Sequence, residues 1–152
     1  MTDREIYEKV RGPLMRFAAS LVGPDDAADL VSEAVVATLQ RRSLASIERP
    51  QAYLMQAVLN RARSHGRRMA RERRAVARLG AAPTVEDGTY LFMPDVARTV
   101  ADLPMQQRAA IYLVYWEDLD PSEAARLLGV RPGTLRRYLH LARKKLRRYF
   151  DE

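Results

Sequence analysis

Asp120-Pro-Ser-Glu-Ala-Ala-Arg-Leu-Leu-Gly-Val-Arg-Pro-Gly-Thr-Leu-Arg-Arg-Tyr-Leu139 is the stretch from which the fold is read. Asp120 reads as an N-cap, Pro121 as the first helical residue and Glu123 as the acidic partner three residues after the cap. Ala124, Ala125 and Leu128 are small or apolar and allow a close helix crossing. Gly129 stops the helix, Val130 fills the turn and Pro132 opens the next helix. A short helix, a tight turn and a second helix form the layout of DNA-binding helix-turn-helix units.

The second helix of that unit divides into two faces. Leu135, Leu139, Ala142, Leu146 and Tyr149 recur at helical spacing, a seam that must be buried. Arg136, His140, Arg143 and Arg147 fall on another face, with Arg137, Lys144 and Arg148 alongside. Residues 131–149 hold eight Arg or Lys and no acid, so one side packs and the other meets phosphate. Thr134, Arg136 and Arg137, near the helix start, are placed to reach base edges, where Arg pairs with guanine. Arg143 to Arg148 are placed for the backbone.

The same periodicity extends upstream, and no segment alternates with a period of two, so an all-α chain is expected. Ile6, Val10, Leu14, Phe17 and Leu21 define a first helix, which Gly12-Pro13 should kink or split and Gly23-Pro24 should end. Asp25 or Asp26 then caps a second helix, with Ala27, Leu30, Ala34 and Thr38 facing inward beside Val31, Val35 and Leu39. Pro50 suits the first turn of a third, with Tyr53, Leu54, Ala57, Val58 and Ala62 as its apolar side. Further helices are expected over about 95–102, 105–117, 121–128 and 132–149. Between 79 and 93, Gly80, Pro83 and Gly88 leave no amphipathic face, so that segment reads as a linker. Its Tyr90-Leu91-Phe92-Met93 cluster is expected to dock onto a neighbour. The organisation is therefore two small helical domains, 1–78 and 94–152, joined by residues 79–93.

Charge follows that division. The 152 residues carry 26 Lys or Arg against 19 Asp or Glu, with no cysteine. Residues 1–78 hold 15 bases and 9 acids, residues 79–93 only 2 acids, and residues 94–152 hold 11 bases and 8 acids. Two basic lobes thus flank an acidic joint, which points to a polyanionic partner. The absence of cysteine excludes disulfides and thiolate metal sites. No apolar run is long enough for a membrane helix, and the N-terminus lacks a secretory signal, so a cytoplasmic protein is expected.

Within the third helix Arg63, Arg67, Arg71, Arg74 and Arg78 fall within an arc of about 80° at 100° per residue, a cationic stripe if Gly66 leaves the helix unbroken. Tyr53, Asn60 and Arg61 stand upstream: an aromatic, an amide and a cation, suited to the exposed bases of single-stranded DNA.

Taken with their order, several segments give the chain a family likeness. They are Leu14-Met-Arg-Phe17, Gly23-Pro-Asp-Asp-Ala-Ala-Asp-Leu-Val-Ser-Glu33, Arg49-Pro-Gln-Ala-Tyr-Leu54 with Asn60 and Arg61, Leu103-Pro-Met-Gln-Gln-Arg108, and Ser122 to Leu135. In this the chain resembles a bacterial RNA polymerase sigma factor of the extracytoplasmic-function group. The resemblance implies a factor that binds core RNA polymerase and promoter DNA, and it allows an anti-sigma partner. By position, Asp29, Leu30 and Glu33 look like the polymerase-binding surface. Tyr53, Asn60, Arg61, Arg63, Arg67 and Arg71 look like the minus-10 face. Arg131, Thr134, Arg136, Arg137, His140, Arg143 and Lys144 look like the minus-35 face. The chain departs from the pattern at Ala37-Thr-Leu39, where the family often has Trp, at Arg131, which replaces a capping Ser or Thr, and at Tyr138 and Leu141, where Arg is frequent.

A stand-alone helix-turn-helix repressor or activator is the alternative, with the first domain used for oligomerisation. Catalysis is not expected: His65 and His140 are the only histidines, and no nucleophile or metal-ligand motif accompanies them. No cofactor or metal is implied.

Overall fold

Thr2 opens the first helix with a reciprocal cap: its hydroxyl accepts from Glu5 N–H at 3.2 Å, and its own N–H donates to Glu5 Oε2 at 3.4 Å. The computed structural model describes residues 1–78, 100 and 102–151, and every regular element among them is helical. In chain order these are α1 (Asp3–Val22), α2 (Pro24–Leu39), a 3₁₀ turn (Leu44–Ser46), α3 (Pro50–Arg78), α4 (Met105–Ile111), a π turn (Tyr112–Trp116), α5 (Pro121–Leu128) and α6 (Pro132–Asp151). The expected helix over 95–102, the 79–93 linker and its Tyr90–Met93 cluster lie outside the described residues, apart from Val100 and Asp102.

α1 runs unbroken through Pro13 rather than splitting there. Val10 and Leu14 on one side of the proline, and Phe17 and Leu21 beyond it, are all buried on one face. Burying each such side chain stabilises by about 1.5–3 kcal/mol, enough to offset one lost backbone hydrogen bond. Between α1 and α2 the cap differs from expectation. Gly23, at φ 90°, is the junction residue and Pro24 the first residue of α2. That puts Asp25 and Asp26 inside the first turn, where they favour the positive end of the helix dipole without capping it. α3 also continues through Gly66. A Cβ at Gly66 would lie 3.3 Å from Met105 Cε, so the glycine marks where the start of α4 approaches α3.

α1, α2 and α3 pack on one another as the first lobe. In the second, α4 with its π turn, α5 and α6 enclose Leu113, Leu128, Leu135 and Ala142. The π turn is recorded in the backbone: Glu117 N–H donates to Tyr112 O at 3.0 Å, five residues back. α5 ends in a complete Schellman motif, with Gly129 N–H on Arg126 O at 3.2 Å and Val130 N–H on Ala125 O at 3.0 Å. Gly129 has φ 70°, the left-handed conformation that glycine takes without cost, which explains why the helix stops there. At the other end of α5, Asp120 is the N-cap residue but makes no side-chain capping bond. Pro121 and the Asp120 carbonyl, which accepts from Ala124 N–H at 3.0 Å, start the helix instead.

The lobes touch. α1 meets α4 and α3 meets α5, and one buried cluster runs from Ile6 through to Ala142. The Phe17 ring meets the Tyr112 ring across the junction, with centroids 5.6 Å apart.

Candidate nucleic-acid interface

Along their shared edge α2 and α3 meet through polar side chains. Glu33 Oε2 lies 3.6 Å from Arg61 Nη1, and Asp26 Oδ2 lies 3.4 Å from His65 Nε2. These partly exposed pairs contribute at most about 1 kcal/mol each. A hollow of about 460 Å³ follows the seam, bordered by Asp29 on one side and by Ser64, Arg68 and Arg71 on the other. Asp29 and Glu33 are exposed, whereas Leu30 points inward and secures α2. Val36 and Leu39 stay 54% and 43% exposed. Leu39 was expected on the inner side, but in the last turn of α2 it is Thr38 that is buried and Leu39 that faces outward. Val36 follows Asp29 and Glu33 at steps of four and three, a spacing that could have revealed it.

A second hollow of about 300 Å³ opens between the end of α2 and the start of α3, lined by Ala37, Thr38, Arg41, Tyr53, Gln56, Asn60 and Arg61 among others. It lies where Ala37 and Thr38 put small side chains. Tyr53 is not core, as its apolar spacing implied, but 37% exposed at the rim. Arg42 lies over its ring, 5.6 Å from the centroid, and donates to Ser46 Oγ at 3.3 Å and to Ser46 O at 3.1 Å. The loop that carries Arg42 is tied to the N-terminus. Ser43 Oγ–H and Ala45 N–H both donate to Asp3 Oδ1, at 2.6 and 3.1 Å. Those bonds, the Ser43 hydroxyl foremost, hold the Asp3 carboxyl below its ordinary range. The sequence reading missed Arg41 and Arg42, because a loop has no period to reveal its facing, and Gln56, which lies on α3 one turn from Tyr53 and Asn60 and lines the same hollow.

Farther along α3 the arginine stripe divides. Arg67, Arg71, Arg74 and Arg78 are exposed, with Arg67 donating to Ser64 Oγ at 3.1 Å. Arg63 instead turns toward the second lobe, where its Nη2 donates to Leu128 O at 3.2 Å. The continuous stripe therefore starts at Arg67 in this arrangement.

On the second lobe Arg131, Arg136, Arg137, His140, Arg143 and Lys144 are all exposed, and Thr134 is half-buried at the helix start. Leu135, Leu139 and Ala142 occupy the opposite, buried side. Tyr138 packs against that core, so its departure from the family's Arg goes with an inward-leaning side chain. Behind α6, Tyr112 is pushed up to about 12 by burial and by its 2.9 Å hydrogen bond to Glu117, against a smaller opposing effect of Arg16. Among the described residues no three His, Cys, Asp or Glu gather to hold a metal, and no helix is long and apolar enough to cross a membrane.

Residues 6–72 match the model of Sigma-70 region 2, and residues 95–146 match that of Sigma-70, region 4. An RNA polymerase sigma-E factor of Streptomyces avermitilis is 31% identical over 151 residues, spanning 94% of this chain and 82% of its relative. The chain belongs to the sigma-70 family. Its two matched regions place it in the extracytoplasmic-function group of sigma factors. The sigma-E factor of Streptomyces coelicolor is similarly related, at 30% identity over 94% of this chain and 83% of the relative. Among solved structures, the sigma factor RpoE of Bartonella quintana, in complex with the anti-sigma factor NepR, superposes with a TM-score of 0.73. It is 25% identical, with 97% of this chain and 96% of that one covered. CnrH, solved with the cytosolic domain of CnrY, shares the fold at a TM-score of 0.68 and 21% identity, over 98% of this chain and 87% of that one. A sigma factor directs core RNA polymerase to promoters as a non-enzymatic initiation factor. The match of the first lobe to region 2 leaves the oligomerisation module of a stand-alone regulator without support.

Proposed function

We propose that this sigma factor reads duplex at the minus-35 element with α6 and holds an opened minus-10 strand against α3 and the loop before it. Thr134, Arg136 and Arg137 on α6 address base edges, while Arg131 just before it and His140, Arg143 and Lys144 along it address the backbone. On the first lobe, the observation that carries the reading is the 300 Å³ hollow where Tyr53, Asn60 and Arg61 converge. An aromatic face, an amide and a guanidinium at one opening provide stacking, hydrogen bonding and charge for an unpaired base. Arg63, Arg67 and Arg71 continue along the phosphates. Capturing unpaired bases offsets an unpairing cost of a few kcal/mol, so opening needs no nucleotide hydrolysis by this chain.

Core polymerase docks on the outer face of α2, through Asp29 and Glu33 with Val36 and Leu39 beside them; Leu30 supports that face from within. Each DNA contact alone is weak and salt-sensitive, and polymerase makes the pair specific by fixing their register. The protein works in the cytoplasm. An anti-sigma factor belongs to the proposal, since the related RpoE of Bartonella quintana was solved with one. The test is transcription with purified core polymerase: addition of this chain should produce promoter-dependent transcripts, and silence on a template bearing the cognate promoter would sink the reading.

A further inference from the structure

Residues 40–49 join α2 to α3, and apolar and polar contacts divide the anchoring of that loop between them. Leu44 and Ile47 are buried in the first lobe. Burial is non-directional, so it fixes the depth of the loop and leaves its rotation to hydrogen bonds. Two of these cross from α1, spanning 40 and 42 positions of sequence, and both end on one oxygen of Asp3: Ser43 Oγ–H donates to Oδ1 at 2.6 Å and Ala45 N–H at 3.1 Å. An ionised acceptor makes such bonds shorter and stronger than neutral ones. Asp3 is itself held in place as the first residue of α1, directly after the reciprocal Thr2 and Glu5 cap. From Ser43 the order passes along the 3₁₀ turn. Ser43 O accepts from Ser46 N–H at 3.1 Å and from Ser46 Oγ–H at 2.6 Å. Ser46 in turn accepts from Arg42, at Oγ and at its carbonyl, and the Arg42 guanidinium comes to rest 5.6 Å from the centroid of the Tyr53 ring.

We infer that Asp3 is a positioning residue for strand capture, acting through Ser43, Ser46 and Arg42 to orient the Tyr53 ring at the minus-10 hollow. The inference rests on the reading of that hollow as the place of an unpaired base. Tyr53 stands exposed at the rim, and a ring free to turn loses that freedom when a base stacks on it, which weakens capture. Arg42 laid over the ring removes the freedom beforehand. It can do so only if it is itself held, because a long side chain in an exposed loop otherwise keeps many rotamers. Asp3 lines neither the hollow beside Tyr53 nor the one along the α2–α3 seam, so its effect on DNA is indirect. Charge and position also predict opposite signs. Removing an acid from a basic lobe should by charge alone favour DNA; removing the brace of the loop should hinder strand opening.

The test uses holoenzyme assembled from core polymerase and each variant, with transcription measured on a duplex promoter and on the same template left unpaired across minus-10. Asp3→Ala should lower transcription from the duplex about threefold to fivefold and stay within about twofold of the parent on the unpaired template. Arg42→Ala should give the same pattern. Asp3→Ala combined with Arg42→Ala should be no worse than Arg42→Ala alone, because both interrupt one line of contacts. Asp3→Asn keeps an acceptor oxygen for both donors, so it should stay within about twofold of the parent on both templates even where its melting temperature falls, which separates positioning from stability. An Asp3→Ala protein that is unchanged, more active, or equally impaired on the two templates overturns the positioning role, and so does a full additional loss on top of Arg42→Ala. Where Tyr53→Ala distinguishes the templates and Asp3→Ala does not, the positioning role alone falls. Where Tyr53→Ala fails to distinguish them, the reading of the hollow falls and takes the inference with it.

Discussion

Arg143 of α6 donates Nε–H to the Tyr115 hydroxyl at 2.8 Å, and its guanidinium lies over the same ring, 5.6 Å from the centroid. The π turn makes the meeting possible, because the widened end of α4 puts Tyr115 beside the exposed face of α6. A long, flexible cation is thereby held in one orientation before DNA arrives, so less side-chain freedom is lost on binding. Tyr115 is 50% exposed, so the contact contributes about 0.5–1 kcal/mol. Tyr115→Ala should weaken duplex binding by the holoenzyme about threefold to fivefold. It should leave the dependence of log affinity on log salt unchanged, because no charge is lost. Arg143→Ala should weaken binding and reduce that slope by about one. Fluorescence anisotropy across a salt series separates the two, and equal slopes for both variants would remove Arg143 from the phosphate contacts.

The hollow beside Tyr53 gives a test of strand capture. Tyr53→Ala removes a stacking face worth about 1–3 kcal/mol per base. It should reduce transcription from duplex promoters by tenfold or more, with much of the loss recovered on templates already unpaired at minus-10, where no base pair need be broken. A defect of equal size on both templates would place the effect in polymerase binding instead.

How far these sites could be read in advance depends on how local their determinants are. Leu135, Leu139 and Ala142 are buried as their spacing implies, and Arg136, His140 and Arg143 are exposed opposite them, because a helix converts sequence interval directly into direction. The edges of such faces are less legible. Tyr53 and Leu39 lie at helix margins, where burial is decided by which neighbour reaches them rather than by their own spacing. Caps show the same limit: Asp25 and Asp120 have the right chemistry, but Pro24 and Pro121 start their helices without a side-chain bond. The inter-lobe bonds, Arg63 to the Leu128 carbonyl and Arg108 to the Leu21 carbonyl, are not legible at all, since each joins residues more than sixty positions apart.

Asp3 connects the N-terminus to the loop that carries Arg42, and its low carboxyl pKa fixes the sign of a pH effect. A carboxylate held below its ordinary value in the folded state stabilises fully above the ordinary carboxylate range. That contribution fades as pH falls through the folded value. Asp3→Asn should therefore lower the melting temperature at neutral pH and make stability less sensitive to acid than in the parent. Thermal melts at pH 7 and near pH 3 measure both effects, and curves that run parallel at the two values would detach Asp3 from the loop.

Tyr112 sets the opposite limit, at alkaline pH. Its phenol keeps its proton in the folded state up to about 12, whereas in the unfolded chain it ionises near its ordinary value of 10. Between those values the folded state binds more protons than the unfolded one, so stability falls as pH rises from 10 toward 12 and is unaffected by this group below that window. Tyr112→Phe removes the titration and the 2.9 Å bond to Glu117. Losing that bond should cost about 1 kcal/mol at neutral pH, while the alkaline decline becomes shallower because the remaining groups alone drive it. Tyr112 also meets Phe17 across the lobes, and phenylalanine preserves that ring contact. A stability change should therefore appear in denaturant melts at neutral pH with the packing between the lobes retained. Melts of Tyr112→Phe that coincide with the parent at neutral pH would remove the Glu117 bond from the stabilising contacts of the second lobe.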